Sequence, residues 1–557
     1  MDNLLNETKF EEHIAGYLAG SDLYNQRSSS QFDIEKLCDV EMLEQFLRQQ
    51  PVVWNKLTKH FSGQEVATVI REYNKRIDRG ESILTIMRKG FTISGAKVKF
   101  CQFKPVLEGE GTDNYRLYRA NRFSVVRQMR YSLGKDSGNE LDLCILLNGI
   151  PLFTFELKNE GSDQNYTHGI LQYKRHRDPH NRMLRNCLVH FVMDNQYAFM
   201  TTFLNGEETT FLPFNQETVN PPIEGEYPTA YMWRRVLQAD SILDLLENFI
   251  KRYDEYYEDK DTKEQKKRTV VIFPRFHQLR AVRKLRGLVR EEGSGHNYLI
   301  QHSAGSGKTK TMAWLAHQLA NMTNPDGTAI FDSIIMVTDR IVLNRNMAED
   351  VVNFEVTAGT VKDIRKGSRK LADALNGENR IIISTVQKFA FALDYLKHEK
   401  SKKYAIIVDE AHTAIGNEAA KDLVSALSTQ EDLEKIGDYE PDEYDSPLDA
   451  LMAQMQNYRK MMNHISYFAF TATPKDKTYV LYGKNGKSAH DLYSMKQAID
   501  EKFILDVTQN YVSYKTKFEL IEKHPDEDKD KLFEQKKALK VIGEWLGKNK
   551  YIKLRKA

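Results

Sequence analysis

The sequence predicts an α/β protein with two successive sheets, the first mixed and flanked by helices, the second parallel. Three observations carry this. The apolar run Leu141 to Leu147, the Asn148-Gly149 pair and the run Pro151 to Phe155 read as a hairpin of buried strands. Farther along, Tyr298-Leu299-Ile300, Tyr404 to Val408 and Tyr467 to Phe470 are apolar runs of the length of buried parallel strands. Each of these is followed by a small polar motif, placed at the carboxyl edge where open parallel sheets bind ligands. At 557 residues the chain is too long for one hydrophobic core, so several domains are expected.

The first polar motif is Ser303-Ala304-Gly305-Ser306-Gly307-Lys308-Thr309, between a strand and a helix over Lys310 to Leu319. Gly305 and Gly307 can take positive φ and leave no Cβ in the way, so the backbone N–H groups of Ala304 to Gly307 and the helix N-terminus can cradle phosphates. Lys308 supplies a cation and Thr309 a hydroxyl for Mg2+. The long form of the motif wants glycine at position 302, where this chain has His302, which favours the short helicase form over a kinase or GTPase form. Asp409 and Glu410 emerge from the next strand, Asp409 to hold Mg2+ and Glu410 to orient and deprotonate the attacking water. Thr471 and Thr473 follow the third strand and could link nucleotide state to nucleic-acid contact. Gln278, upstream of the loop, is placed to read adenine through its amide. A lone glycine-rich turn or an acidic pair after a strand is common in unrelated proteins. Together, in order and anchored on strands, they imply an ATP-driven nucleic-acid motor with a RecA-like superfamily 2 helicase lobe.

The first hairpin carries a different chemistry. Side chains repeat every two residues along a strand, so Glu156 and Lys158 share a face, and the turn can bring Asp142 beside them. Two carboxylates suit Mg2+ with water left in its shell, and a lysine can position or deprotonate the water that attacks phosphorus. That is the arrangement of a metal-dependent DNA nuclease of the PD-(D/E)xK type. Charged residues at strand ends are usually solvated rim positions, and Glu-x-Lys is frequent. What favours a site is the apolar setting of Phe153 and Phe155, where an idle acid or lysine would be costly. Gln172, Tyr173, Lys174 and Arg175 could add an amide, a ring and cations near a DNA backbone.

With these residues in view, the chain resembles the amino-terminal half of the restriction (R) subunit of type I restriction endonucleases. The resemblance rests on Asn121-Arg122-Phe123 with Val126 and Gln128, Asn148 to Leu152, Glu156-Leu157-Lys158-Asn159, Arg275 to Gln278 with Ala281-Val282, Thr385 to Phe389, Asp409 to His412, and Tyr493 to Ile499. It implies a nuclease triad of Asp142, Glu156 and Lys158, with ATPase residues Lys308, Thr309, Asp409 and Glu410. Glu11 or Glu12 of the first helix would assist metal binding. It also implies Mg2+ and ATP as cofactors, and as partners double-stranded DNA together with methyltransferase and specificity subunits. Departures are Leu141 for the usual proline before the first nuclease acid, a family Gln-xxx-Tyr pattern met here by Gln172-Tyr173 with His176 following, and Asn344 and Asn346 after Val337 to Arg340. A motor of this kind places ATP between two RecA-like lobes. Ending at Ala557 leaves no room for the second, so the expectation is a shortened chain that binds nucleotide weakly and translocates nothing. The alternative reading is accordingly a DNA-binding and assembly module with an inert motor. A third, an RNA helicase, is opposed by the Asp142 hairpin.

Domain expectations follow composition: a nuclease domain over 1–253, a charged linker or exposed helix over 254–268, a first RecA-like lobe over 269–507, and the start of a second over 508–557. Glu431 to Asp445, acidic and containing Pro441, reads as an inserted loop. Lys and Arg total 80 against 78 Asp and Glu, a balance that excludes indiscriminate polycation binding and leaves DNA contacts to local patches. Candidates are Arg116, Arg119, Arg122, Arg127 and Arg130, and the run Lys174 to Arg177. Cys38, Cys101, Cys144 and Cys187 are too widely spaced to indicate a zinc site or disulfide framework. No signal peptide or membrane-length apolar run is evident, and a cytoplasmic location is expected.

Overall fold

The computed structural model describes residues 7–107, 109–133, 138–159, 161, 164–258, 264–338, 341–354, 361–364, 368–377, 379–385, 402–409 and 464–506. Residues 1–504 form one compact unit, and 505–557 form a second.

The first sheet has seven strands in sequential order: β1 (Tyr24–Arg27), β2 (Phe123–Arg130), β3 (Glu140–Leu147), β4 (Ile150–Leu157), β5 (Val189–Met193), β6 (Ala198–Thr201) and β7 (Leu212–Pro213). It is mixed, with β1–β2 and β4–β5 parallel and the other neighbours antiparallel. Helix α1 (Glu7–Ala19) packs against it, and α2 (Tyr166–His176) makes the crossover between β4 and β5. Every residue of β4 is buried, and so is every residue of β3 after Glu140. Being covered on both faces, the two strands read as apolar runs and not as alternation. Their turn has Asn148 at φ 49° and Gly149 at φ 82°, the left-handed pair that matches strand twist. A Cβ on Gly149 would lie 2.2 Å from the Asp39 carbonyl oxygen, so only glycine fits there.

Between the sheets, β8 (Lys251–Glu258) and β9 (Gln265–Ile272) pair antiparallel. The linker or exposed helix expected over 254–268 is therefore a strand pair in its described residues. Cross-strand charge complementarity explains the difference: Arg268 pairs with Glu255 directly opposite and Lys267 with Asp254 on the diagonal, both at 2.8 Å. Nor are the two sheets separated by this segment. Phe273, just after β9, packs edge-on against Phe153 and Phe191, and the Trp314 indole N–H donates to the Phe249 carbonyl (2.7 Å). A single buried apolar cluster runs from Phe10 to Phe470 through both sheets.

The second sheet contains β10 (Asn297–His302), β11 (Ser333–Thr338), β12 (Val361–Asp363), β13 (Ile381–Thr385), β14 (Tyr404–Val408), β15 (Ile465–Thr471) and β16 (Asp491–Tyr493). All neighbours are parallel, in the order β12-β13-β11-β14-β15-β10-β16. Helices α3 (Phe276–Glu292) and α4 (Lys308–Ala320) flank β10 in sequence. The order puts the ends of β10, β14 and β15 on one edge, as the motif positions require.

Candidate active sites

On the first sheet, Asp142 lies near the start of β3 and Glu156 near the end of the antiparallel β4, with Leu143 opposite Phe155. Lys158 follows β4 directly, and its Nζ lies 3.5 Å from Asp142 Oδ2 and 3.0 Å from Glu7 Oε1 of α1. Asp142 Oδ2 also accepts the Leu157 N–H at 2.6 Å, which fixes the carboxylate against the strand. All three sequence-chosen residues are thus buried together. Burial raises the pKa of Asp142 against the pull of Lys158. Burial alone would discharge Lys158, but Asp142 and Glu7 outweigh it and hold its pKa above the usual lysine value.

The sequence reading missed the principal partner of Glu156. Arg177, just past α2, donates from Nε to Glu156 Oε1 (2.7 Å) and from its terminal amino group to the Glu140 carbonyl (2.6 Å). Arg177 is buried, which removes it from the proposed DNA-facing run. Even so, burial and the neighbouring Asp142 push Glu156 up to about 8. Its second oxygen, Oε2, is buried without a hydrogen-bond partner among the described residues.

Glu11, one helical turn beyond Glu7, is buried and accepts from Arg127 Nε (2.8 Å) and Gln128 Nε2 (2.7 Å). Gln128 is held at φ 47°, out of step with the β2–β3 ladder, and this turns its amide toward Glu11. Glu12 is exposed and lies 3.4 Å from Arg127. Tyr173 is completely buried, with its hydroxyl 2.7 Å from Thr154 Oγ1, so its ring faces the core and not a DNA backbone. Gln172 and Lys174 are half-buried, and Arg175 is exposed and paired with Glu207 at 2.8 Å. Four residues before Tyr173 stands Gly169, where a Cβ would lie 2.6 Å from Val192 Cγ1 and 3.6 Å from both Glu156 Cβ and Lys158 Cγ. If Tyr173 is the tyrosine of the Gln-xxx-Tyr pattern, its glutamine position falls on Gly169. The missing side chain lets α2 lie directly on the cluster.

On the second sheet, Gly305 (φ 72°) and Gly307 (φ 79°) shape the loop between β10 and α4. The Gln278 amide is tied to this loop: Nε2 donates to the Gly307 carbonyl (3.1 Å), and Oε1 accepts the Arg275 N–H (2.9 Å). Ala304 is exposed, Ser306 is buried with Oγ unpartnered, and Thr309 is half-buried. Lys308 Nζ points back to the Ser303 carbonyl at 3.4 Å. His302 occupies the place of the absent glycine for a reason the sequence did not reveal: its Nε2 meets Asp491 Oδ1 at 2.8 Å, and Arg280 grips the same carboxylate at 2.8 and 3.0 Å. Asp409 is buried just past β14, and its N–H donates to Val337 (3.1 Å). Thr471 is buried at the end of β15 and accepts the Thr473 N–H at 3.3 Å, while Thr473 is exposed. Glu410, Asp339, Arg340 and 386–389 lie outside the described residues.

The folds define an α/β lobe with a parallel sheet and a glycine-rich loop, built onto an amino-terminal domain with its own buried charge cluster. Comparison with known proteins gives both parts a family: residues 277–540 match the SWI2/SNF2 ATPase, and residues 24–217 match the type I restriction enzyme R protein N terminus. The chain is a relative of the R subunits of type I restriction enzymes, as its sequence resemblance implied. A type I restriction enzyme endonuclease subunit of Staphylococcus saprophyticus is 21% identical over 414 residues, covering 71% of this chain and 37% of that protein. One from Staphylococcus aureus is 25% identical over 307 residues, covering 52% and 29%. The chain thus spans about a third of the length of these relatives. Among solved structures, the UvsW helicase of bacteriophage T4 is 15% identical with a TM-score of 0.26, covering 45% of this chain and 65% of that one. A nuclease-deletion mutant of the Type ISP restriction-modification enzyme LlaGI, in complex with a DNA substrate mimic, is also 15% identical with a TM-score of 0.26, covering 42% and 21%. Among the described residues, no helix is long and apolar enough to cross a membrane.

Proposed function

We propose that the chain cuts duplex DNA at the Asp142, Glu156 and Lys158 cluster, a PD-(D/E)xK nuclease site, and that ATP at the Ser303 to Thr309 loop drives DNA past it in a complex with methyltransferase and specificity subunits. The observation that carries the cleavage reading is the convergence of two buried carboxylates and a charged lysine, with Glu156 Oε2 lacking a hydrogen-bond partner among the described residues. A buried carboxylate pair with an orphaned oxygen fits a divalent cation, which would offset the cost of holding both acids charged. Asp142 and Glu156 would hold Mg2+, whose chemistry is to lower the pKa of water and neutralise charge on phosphate.

The remaining work falls to the chain's own groups. Lys158, kept protonated by Asp142 and Glu7, serves to orient the attacking water and stabilise negative charge at phosphorus, not to abstract a proton. Arg177 fixes Glu156 through Oε1 and leaves Oε2 free. Glu11 stands behind Asp142 as an acidic support held by Arg127 and Gln128. At the loop, Lys308 would leave the Ser303 carbonyl for the phosphates, and Thr309 with Asp409 would hold the nucleotide's Mg2+. Glu410 would orient water there, and Gln278 would exchange its loop contact for adenine. Thr471 and Thr473 would link the nucleotide to DNA contact. The test is DNA cleavage and nucleotide binding measured side by side in Lys158→Ala and Lys308→Ala. Cleavage by Lys158→Ala at the parent rate would sink the triad assignment.

A further inference from the structure

We propose a second phosphate-binding site, for the backbone of duplex DNA, in a cavity of about 770 Å³ at the far end of the first sheet. Four guanidinium groups line it, from Arg48, Arg116, Arg119 and Arg122, against the single lining carboxylate of Glu110. Guanidinium is the side chain best shaped for phosphate, which it can grip with two parallel N–H groups.

The present partners of these arginines are exchangeable. Arg116 pairs with Asp113 and Arg119 with Asp22, carboxylates that are 93% and 70% exposed. Arg48 pairs with Glu44 one helical turn away and lies over the Trp54 ring. Exposed pairs of this kind hold weakly, so a phosphate can replace them. The Arg122 guanidinium forms no ion pair among the described residues and donates to the backbone carbonyls of Arg119 and Asn121, both at 2.8 Å.

The place of the cavity separates it from the acidic cluster. The Arg122 N–H donates to Asn148 Oδ1 (2.8 Å) in the β3–β4 turn, six residues along β3 from Asp142. At about 3.4 Å per residue that is about 20 Å, too far for one phosphate to touch both. Successive phosphates of one DNA strand advance about 3.4 Å along the axis, so the two sites lie about six nucleotides apart. The cavity would hold the backbone at that fixed offset from the reacting phosphate. Phosphate binding stands independently of the cleavage reading, and only the offset rests on it.

The test is duplex binding by the full chain over a salt series, with Arg119→Gln/Arg122→Gln and, because Arg122 also bonds backbone, the single exposed Arg116→Gln. The double variant should lower the slope of log affinity against log salt by about two, and the single variant by about one. Inorganic tripolyphosphate serves as the free-anion probe and should compete only weakly. An unchanged slope in both variants overturns the proposal. So does tight tripolyphosphate binding that the arginine variants abolish while duplex binding stays intact, since that makes the ligand a free polyphosphate. The slope is read from binding alone with Lys158 intact in every variant, so a failure of the cleavage assignment remains separate from a failure of this one.

Discussion

The acidic cluster and the proposed phosphate loop pose opposite problems. At the cluster, charged side chains are buried and must neutralise one another: Arg177 answers Glu156, and Lys158 answers Asp142 and Glu7. At the loop, the backbone itself does the work, and Gly305 and Gly307 at positive φ leave an exposed turn with few side chains to neutralise. A site made of buried charge is tied to the stability of the fold, because removing one partner strands another. A site made of backbone is tied to conformation, and its failures should show as lost affinity with the fold intact.

The sharpest way to break this contrast is the pair Lys158→Ala and Lys308→Ala. The first should cut DNA about 10³-fold more slowly with nucleotide binding unchanged, and the second should lose nucleotide binding while a nucleotide-independent nicking assay keeps its rate. Arg177→Met comes next. It leaves Glu156 buried without its cation and should cost about 3 kcal/mol in urea unfolding, while nucleotide affinity in the folded protein stays at the parent value. Lys251, buried where the two sheets meet, is a smaller case of the same principle. Burial, and then Arg88, lower its pKa from 10.5 to about 7. Between those values the unfolded chain holds a proton that the folded chain has shed, so stability falls as pH drops from 10.5 toward 7 and is level below. Lys251→Met should therefore raise stability at pH 7, by on the order of 3 kcal/mol, and lose that gain as pH approaches 10.5. Gly307→Ala probes the other side of the comparison. Its Cβ would sit 2.7 Å from Gln278 Nε2 at φ 79°, so ATP-analogue affinity should fall by about 1–2 kcal/mol while DNA nicking is unaffected. Tyr173→Phe should do least, costing about 1 kcal/mol of stability through the lost Thr154 contact, with duplex affinity unchanged. A fall in duplex affinity would return Tyr173 to the surface role that its sequence context suggested.

The same contrast decides what could be read without coordinates. The loop was legible because its glycines, lysine and threonine are consecutive, and local spacing is what a sequence displays directly. The strands behind it followed from apolar runs of the right length. Asp142, Glu156 and Lys158 were legible through the Asn148-Gly149 turn, which marks the hairpin, but not the register shift between Ile145 and Leu146 that sets Leu143 opposite Phe155. Arg177 and Glu7 were not, because they reach the cluster from a helix end and from another helix, and no spacing rule connects them to β4. Gly169 was hidden for a related reason: a glycine in a helix normally reads as a weakness, and only the nearness of Val192 shows that it seats α2. The run 254–268 misled because its polarity resembles a linker, while its pairing depends on a partner strand.

Trp314 offers a consequence of the shared core. It sits on α4, immediately after the phosphate loop, yet its indole N–H is held by the Phe249 carbonyl and its ring lies beside Phe249 and Phe354. With Trp54, Trp233 and Trp545 replaced by Phe, its emission wavelength and its quenching by iodide or acrylamide report on one buried contact between the loop's own helix and the segment that leads out of the first sheet. Any reaction step that pries the two apart would register as a red shift, with no label added to the protein.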